Sequence, residues 1–189
     1  GDPGQRGLMG PENPPLPVKP EQLIVIETEG WNSVDEASHE ALERFLESVK
    51  AANIELITRA VHPAVEALEI SIADATNICG TITAWENRWA LRNLIDRQPD
   101  GVSQRIQDTV AHAESLSPED YRNLLLARTH ARHCHNAISS LSDAIITFSC
   151  PGPAPLWPGD IDGQPLASKP TGDPVFNYPS SMLGAPVTT

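Results

Sequence analysis

Proline is distributed very unevenly along this chain. Of its 18 prolines, six precede Glu21 and nine follow Phe148, so only Pro63, Pro99 and Pro118 lie between. Proline lacks a backbone N–H and breaks helix interiors. The two ends are therefore expected as extended, looped chain, and the middle is free to be helical. At 189 residues the chain is long enough for one domain with a real core. The expected division is a Pro-rich lead-in over 1–22, a βαβ unit over 23–59, a helical segment over 63–142, and a strand with a Pro/Gly-rich tail over 144–189. No internal repeat is visible.

The first ordered element follows the lead-in directly. Leu23 to Thr28 is a short, nearly continuous apolar run and reads as a buried strand. Ser33 and Glu36 have capping-box spacing, which predicts a helix start with Ser33 as N-cap. The helix that follows places Ala37, Leu42, Phe45, Leu46 and Val49 on one face. Asn53 is its expected stop, and Ile54 to Thr58 alternates like a strand. Strand, helix and strand with short loops predict a parallel pair with a right-handed crossover. A long helix is expected from Pro63 to about Ile95, with Gly80 its weak point. Pro99–Asp100–Gly101 ends that pattern, and a second helix is expected from Val102 to about Glu114. Ser117 and Pro118 have the residue types of N-cap and first helical position for a third. Ala144 to Ser149 reads as a third strand. The fold class expected is α/β, a mixed sheet flanked by helices.

Charge and cysteine usage exclude some functions. The formal net charge is −12, from 25 acidic and 13 basic residues. Such a field repels phosphate backbones, so no nucleic-acid partner is expected. It also disfavours an anionic membrane surface, and no apolar run approaches the roughly 20 residues that span a bilayer. The three cysteines, Cys79, Cys134 and Cys150, are odd in number and far apart. They read as free thiols in a reducing compartment, which makes a cytoplasmic location the expectation.

Three clusters could carry chemistry. His130, His133 and His135 with Cys134 hold the densest set of potential metal ligands, but zinc wants further ligands and a supporting shell. A solvated, histidine-rich helix face accounts for them, and neither a metal nor any other cofactor is expected. The carboxylate pairs Asp35/Glu36 and Glu119/Asp120 fall in first helical turns, where the helix dipole favours acids. Asp160 and Asp162 sit in a Gly/Pro loop and read as turn residues. Trp85 and Trp89 are one helical turn apart around Glu86. They read first as a packed aromatic pair, and second as a helix wall beside a pocket with Glu86 turned inward. No G-x-S-x-G or phosphate-binding loop is present.

The end of the chain is more specific. Pro151 to Pro155 spell Pro-Gly-Pro-Ala-Pro after a strand, followed by Thr171-Gly172-Asp173-Pro174, Phe176-Asn177 and Leu183-Gly184-Ala185-Pro186. In order and spacing these resemble the C-terminal half of the amidase signature family. The start, Gly1 to Pro11, resembles the segment after that family's catalytic core, and Leu23 to Trp31 the strand that follows. The resemblance spans almost the whole chain.

It implies an incomplete amidase-signature-like fold acting on a non-peptide amide by serine acyl transfer. The family uses a Lys, a cis-Ser and a nucleophilic Ser in a Gly/Ser-rich stretch. This chain has no such stretch and no Gly-Gly pair; its only lysines are Lys19, Lys50 and Lys169. Many members have Thr-Pro where this chain has Thr147-Phe148, and the family's late strand continues past Thr188-Thr189. The resemblance therefore implies the non-catalytic half of an amidase. No catalytic residue is assigned. Thr171, Asp173, Phe176 and Asn177, with Trp85 and Glu86, are the substrate-pocket candidates. The partner implied is a small-molecule amide, once the catalytic half is joined. The other reading is a non-catalytic pseudo-amidase or protein-interaction module. Exposed sheet edges predict self-association of the isolated chain.

Overall fold

Leu23 to Ile26 are all buried, and the strand they build is the centre of the sheet. The computed structural model describes residues 16–153 and 173–188. Strand β1 (Gln22–Val25) is flanked by β2 (Glu55–Ile57) and β3 (Ala144–Ile146), in the order β2-β1-β3. Both pairings are parallel, with Ile24 opposite Ile57 on one side and Ile145 on the other. The expected strands are thus present, each shorter than its apolar run. The expected mixed sheet is corrected: among the described residues it is wholly parallel. The reason is connectivity, since each strand is reached from the last by a helical crossover, and a crossover returns the chain in the same direction.

Ser142 fixes the second pairing where the ladder starts. Its hydroxyl accepts from the Ile24 N–H at 3.1 Å and from the Ala144 N–H at 3.2 Å, and lies 3.0 Å from the Gln22 carbonyl. One side chain thereby ties β1 to β3.

Helix α1 (Glu36–Ala51) joins β1 to β2. Its N-cap is Asp35, not Ser33. The Asp35 carboxylate accepts from the Ser38 N–H at 2.8 Å and the Ser38 hydroxyl at 3.0 Å, and these bonds hold its pKa below the usual carboxylate value. Ser33 belongs instead to a 3-10 turn, Trp31–Ser33, where its hydroxyl donates to the Gly30 carbonyl. That turn occupies the residues that would have begun the helix, and Val34 is extended. At the other end Asn53 is the stop expected, with φ +56° in the left-handed region. Its N–H donates to the Lys50 carbonyl at 2.9 Å.

Five further helices are described: α2 (Pro63–Ile72), α3 (Ala75–Arg97), α4 (Gln104–Ser115), α5 (Pro118–Ile138) and α6 (Tyr178–Leu183). Of these, α2, α3, α5 and α6 pack against the sheet in a shared core, while α4 packs on α3. The single helix expected from Pro63 to Ile95 is two. The break falls at Ala73–Asp74, where the Asp74 backbone leaves helical geometry. Gly80 lies inside α3 and breaks nothing. Helix α5 begins on the expected Ser117, with Asp120 reaching back to close a full capping box. Ile24, Ile26 and Ile57 of the sheet meet Val65, Leu68 and Ile72 of α2, Ile78 and Ile82 of α3, and Ala131 and Ile138 of α5 in one core.

The tail closes this core. Met182 and Leu183 of α6 are part of it, and Arg132 of α5 donates to the Met182 carbonyl at 3.0 Å. Helix α6 ends on Gly184, at φ +70°. Residues 173–188 therefore pack on the domain, as the cost of leaving Phe176, Met182 and Leu183 in water requires.

No helix among the described residues is long and apolar enough to cross a membrane.

Candidate functional site

In the order β2-β1-β3 the chain leaves β1 to one side, and later crosses to the other. The loops after β1 and β3 diverge at their carboxyl ends. In parallel α/β sheets this switch point is where ligand crevices form. Here it opens a cavity of about 410 Å³. The β1 side contributes Ile26 and Thr28; the β3 side contributes Ile145 and the run Thr147, Phe148 and Ser149. The tail supplies Phe176, Asn177, Leu183 and Val187, and α1 supplies Phe45. Phe45 was expected on the apolar face of α1, but it is 51% exposed at the mouth of this cavity.

The described lining is mostly apolar. Among the described residues no Asp, Glu, Lys, Arg or His lines it. Its polar groups are hydroxyls and the Asn177 carboxamide. Thr28 stands apart from the others: it is 6% exposed, and its hydroxyl has no hydrogen-bond partner among the described residues. A buried hydroxyl left unpaired costs about 1–3 kcal/mol.

Phe148 is braced from behind. Its ring centroid lies 4.7 Å from that of Trp31 and 5.0 Å from that of His39. The His39 ring nitrogen Nε2 is 3.3 Å from the Trp31 carbonyl oxygen, which fixes the imidazole in the cluster.

The pocket candidates from the sequence do not all come together. Phe176 and Asn177 line the cavity. Asp173 holds their turn, its carboxylate accepting from the Val175 N–H at 3.1 Å. Thr171 lies outside the described residues, as do Asp160 and Asp162. Trp85 and Glu86 are on the α3–α5 surface and do not line the cavity. The Trp85 ring stacks on Tyr121 at 5.4 Å, and the Tyr121 hydroxyl donates to Glu86 at 2.8 Å. That carboxylate raises the Tyr121 pKa. Trp85 and Trp89 do not pack on each other as a core pair. The Arg88 guanidinium lies over both rings, and Trp89 is 67% exposed.

The other clusters resolve as supports. His130 Nε2 is 3.7 Å from Cys134 Sγ on α5. Among the described residues no three His, Cys, Asp or Glu side chains are placed to share a metal. Asp35 and Asp120 are helix caps. Burial pushes the Cys79 thiol up, so it stays protonated. Lys50 pairs with Glu47, and Lys19 donates to the Ala52 carbonyl. Among the described residues no serine hydroxyl is bonded to a histidine ring or a lysine amine that could take its proton.

Sequence reasoning missed three features. In the sequence Thr28 reads only as the end of the strand from Leu23. The Trp31–His39–Phe148 group joins two neighbouring elements to Phe148, over a hundred residues away, which spacing cannot show. Glu69 did leave a signal, because it falls among the core-facing positions Val65, Leu68 and Ile72 of α2. It is 5% exposed. It accepts from the Glu27 N–H at 2.9 Å and pairs with Arg59 at 3.2 Å. Burial nevertheless raises its pKa.

No family model matches the chain, and neither a curated protein nor a solved structure does.

Proposed function

We propose that this chain forms the scaffold and one acyl-pocket wall of an amidase-family hydrolase that cleaves a non-peptide carbon–nitrogen bond. One observation carries the reading. The segment bearing Phe176-Asn177 and Leu183-Gly184-Ala185-Pro186 lines the cavity at the carboxyl ends of two parallel strands, where a rigid sheet positions loops for binding. The chemistry comes from elsewhere. A serine from a Lys/Ser/Ser set attacks the amide carbonyl, the amine leaves with a proton, and water cleaves the acyl-enzyme. This chain's part is to seat the acyl group. The partner is then a small-molecule amide.

A second reading, a non-catalytic interaction module, is favoured by the lack of a nucleophile–base pair among the described residues. The two are separated by assaying the purified chain against aryl and aliphatic amides, alone and mixed with a segment carrying the Lys/Ser/Ser set. Turnover only in the mixture is the expected result. Turnover by the isolated chain that is lost on mutating one of its own serines overturns the proposal. Silence of both samples favours the non-catalytic reading.

A further inference from the structure

We infer that the switch-point cavity takes an uncharged ligand with an apolar body and one carbonyl group, and that Thr28 is the residue that binds this carbonyl. The inference rests on the cavity being a binding site, and it deepens the acyl-pocket reading by naming the ligand class. It does not depend on amide hydrolysis.

Charge is the first argument. No ionisable side chain among the described residues lines the cavity, and the whole chain carries −12. Among the described lining residues an anion would meet no cation, in a field that already repels it. A cation would be drawn towards the protein but would find no carboxylate among them. Desolvating either charge without a partner is prohibitive. A neutral ligand meets neither cost.

Shape and lining are the second. Phe148 and Phe176 supply aromatic surface, with Ile26, Ile145 and Leu183 around them. Phe176 is buried, and Trp31 and His39 hold the Phe148 ring, so these walls are formed before anything binds. A cavity of about 410 Å³ falls within the ordinary range for small-molecule sites, which combine apolar walls with a few polar groups that orient the ligand.

The unpartnered hydroxyl is the third. Thr28 lines the cavity, but its Oγ1 is sealed from water and unbonded. Threonine side chains occupy discrete staggered wells. On this inference the ligand draws the side chain into another of these wells, in which the hydroxyl donates to the ligand carbonyl. The free protein leaves this donor unused, and the bound ligand satisfies it. Asn177 and Thr147 lie on the same lining, but both are exposed to water and gain less from a ligand.

The test uses the full chain and three probes of one shape: benzamide, benzoate and benzamidinium. Binding is read from the methyl resonances of Ile26, Ile145 and Leu183. Benzamide is expected to shift these methyls, with each charged probe at least about tenfold weaker. Thr28→Val keeps the shape and removes the hydroxyl; it is expected to weaken benzamide about tenfold, which is about 1.4 kcal/mol, while Thr28→Ser stays within about threefold of the parent. Thr28→Val is also expected to unfold at a higher temperature than the parent, because it removes an unpaired buried group. A merely structural threonine would not move affinity and stability in opposite directions. Benzoate or benzamidinium binding as tightly as benzamide overturns the inference, as does unchanged affinity in Thr28→Val or the absence of methyl shifts. Such a failure leaves the amidase reading to be decided separately by turnover in the mixture.

Discussion

Phe176 packs directly on Gly30. A methyl group placed on Gly30 would meet the ring at 2.6 and 2.8 Å, and the Val175 side chain at 2.9 Å. The backbone of Gly30 is ordinary, with φ −78°, so this glycine is needed for space and not for conformation. It joins the loop after β1 to the tail, and so sets one wall of the cavity.

Gly30→Ala is therefore expected to destabilise the domain by about 1–3 kcal/mol, the usual cost of overpacking. The loss should concentrate in the tail. Amide exchange at Phe176 to Leu183 should speed up, with β1 unaffected. Phe176→Leu added to Gly30→Ala should recover part of the loss. An alanine variant with parental exchange in the tail would mean that the contact is not a constraint.

Gly184 makes the opposite case. A Cβ there would meet nothing closer than an Arg132 nitrogen at 3.7 Å, yet its φ is +70°. The Ala185 N–H donates to the Ser180 carbonyl at 3.1 Å to close helix α6, and a left-handed residue makes that possible. Gly184→Ala should cost about 1–2 kcal/mol from backbone strain alone. Asn53 holds the same conformation without being glycine, so Asn53→Gly should be neutral or mildly stabilising and Asn53→Ala destabilising. Chemical denaturation of the three variants decides it. If Gly184→Ala and Asn53→Gly give the same change, the left-handed account fails.

How far the sequence could be read depended on the range of the interactions involved. The three strands and the caps at Ser117 and Asn53 follow from apolar runs and local backbone chemistry, and the structure contains them. The cap of α1 was misplaced because Ser33/Glu36 and Asp35/Ser38 offer competing local patterns. A 3-10 turn at Trp31 decided between them, and nothing in the spacing foretells it. The helix break at Ala73–Asp74 is not legible because neither residue is a strong breaker, and Gly80 is the weaker helix former nearby. For the site, Phe176 and Asn177 are legible from motif order. Thr28 and Phe148 are not, since they come to one cavity only after residues over a hundred positions apart are brought together by the sheet register.

The α1 correction can be checked directly. Asp35→Ala should cost about 1 kcal/mol, the usual loss of an N-cap. Ser33→Ala removes only a bond to the Gly30 carbonyl and should cost less. Urea unfolding of both variants supplies the comparison, and a larger loss for Ser33→Ala would restore it as the cap.

Glu69 gives a prediction of sign. Its carboxylate sits where the loops after β1 and β2 meet α2. Burial raises its pKa above the ordinary glutamate value of 4.5, and the nearby Glu27 and Glu66 charges raise it further. The Glu27 N–H and the Arg59 guanidinium oppose this, and they lose. The folded state then holds the Glu69 proton more tightly than the unfolded state does. Its contribution to stability is fully present below the unfolded value of 4.5, and is lost as pH rises through the higher folded value. Asp35, Glu114 and Asp120 behave oppositely, since hydrogen bonds lower their pKa values. Their stabilisation is lost as pH falls, but it is common to the parent and to a Glu69 variant and cancels in the difference. Glu69→Gln keeps the acceptor for the Glu27 N–H and cannot ionise. The stability of the parent minus that of Glu69→Gln should therefore decline as pH rises above 4.5, and level off below it. Denaturation of both proteins at a series of pH values measures this difference. A difference that grows with pH would mean that the ion pair with Arg59 outweighs burial, and that Glu69 is held as a stabilising charge.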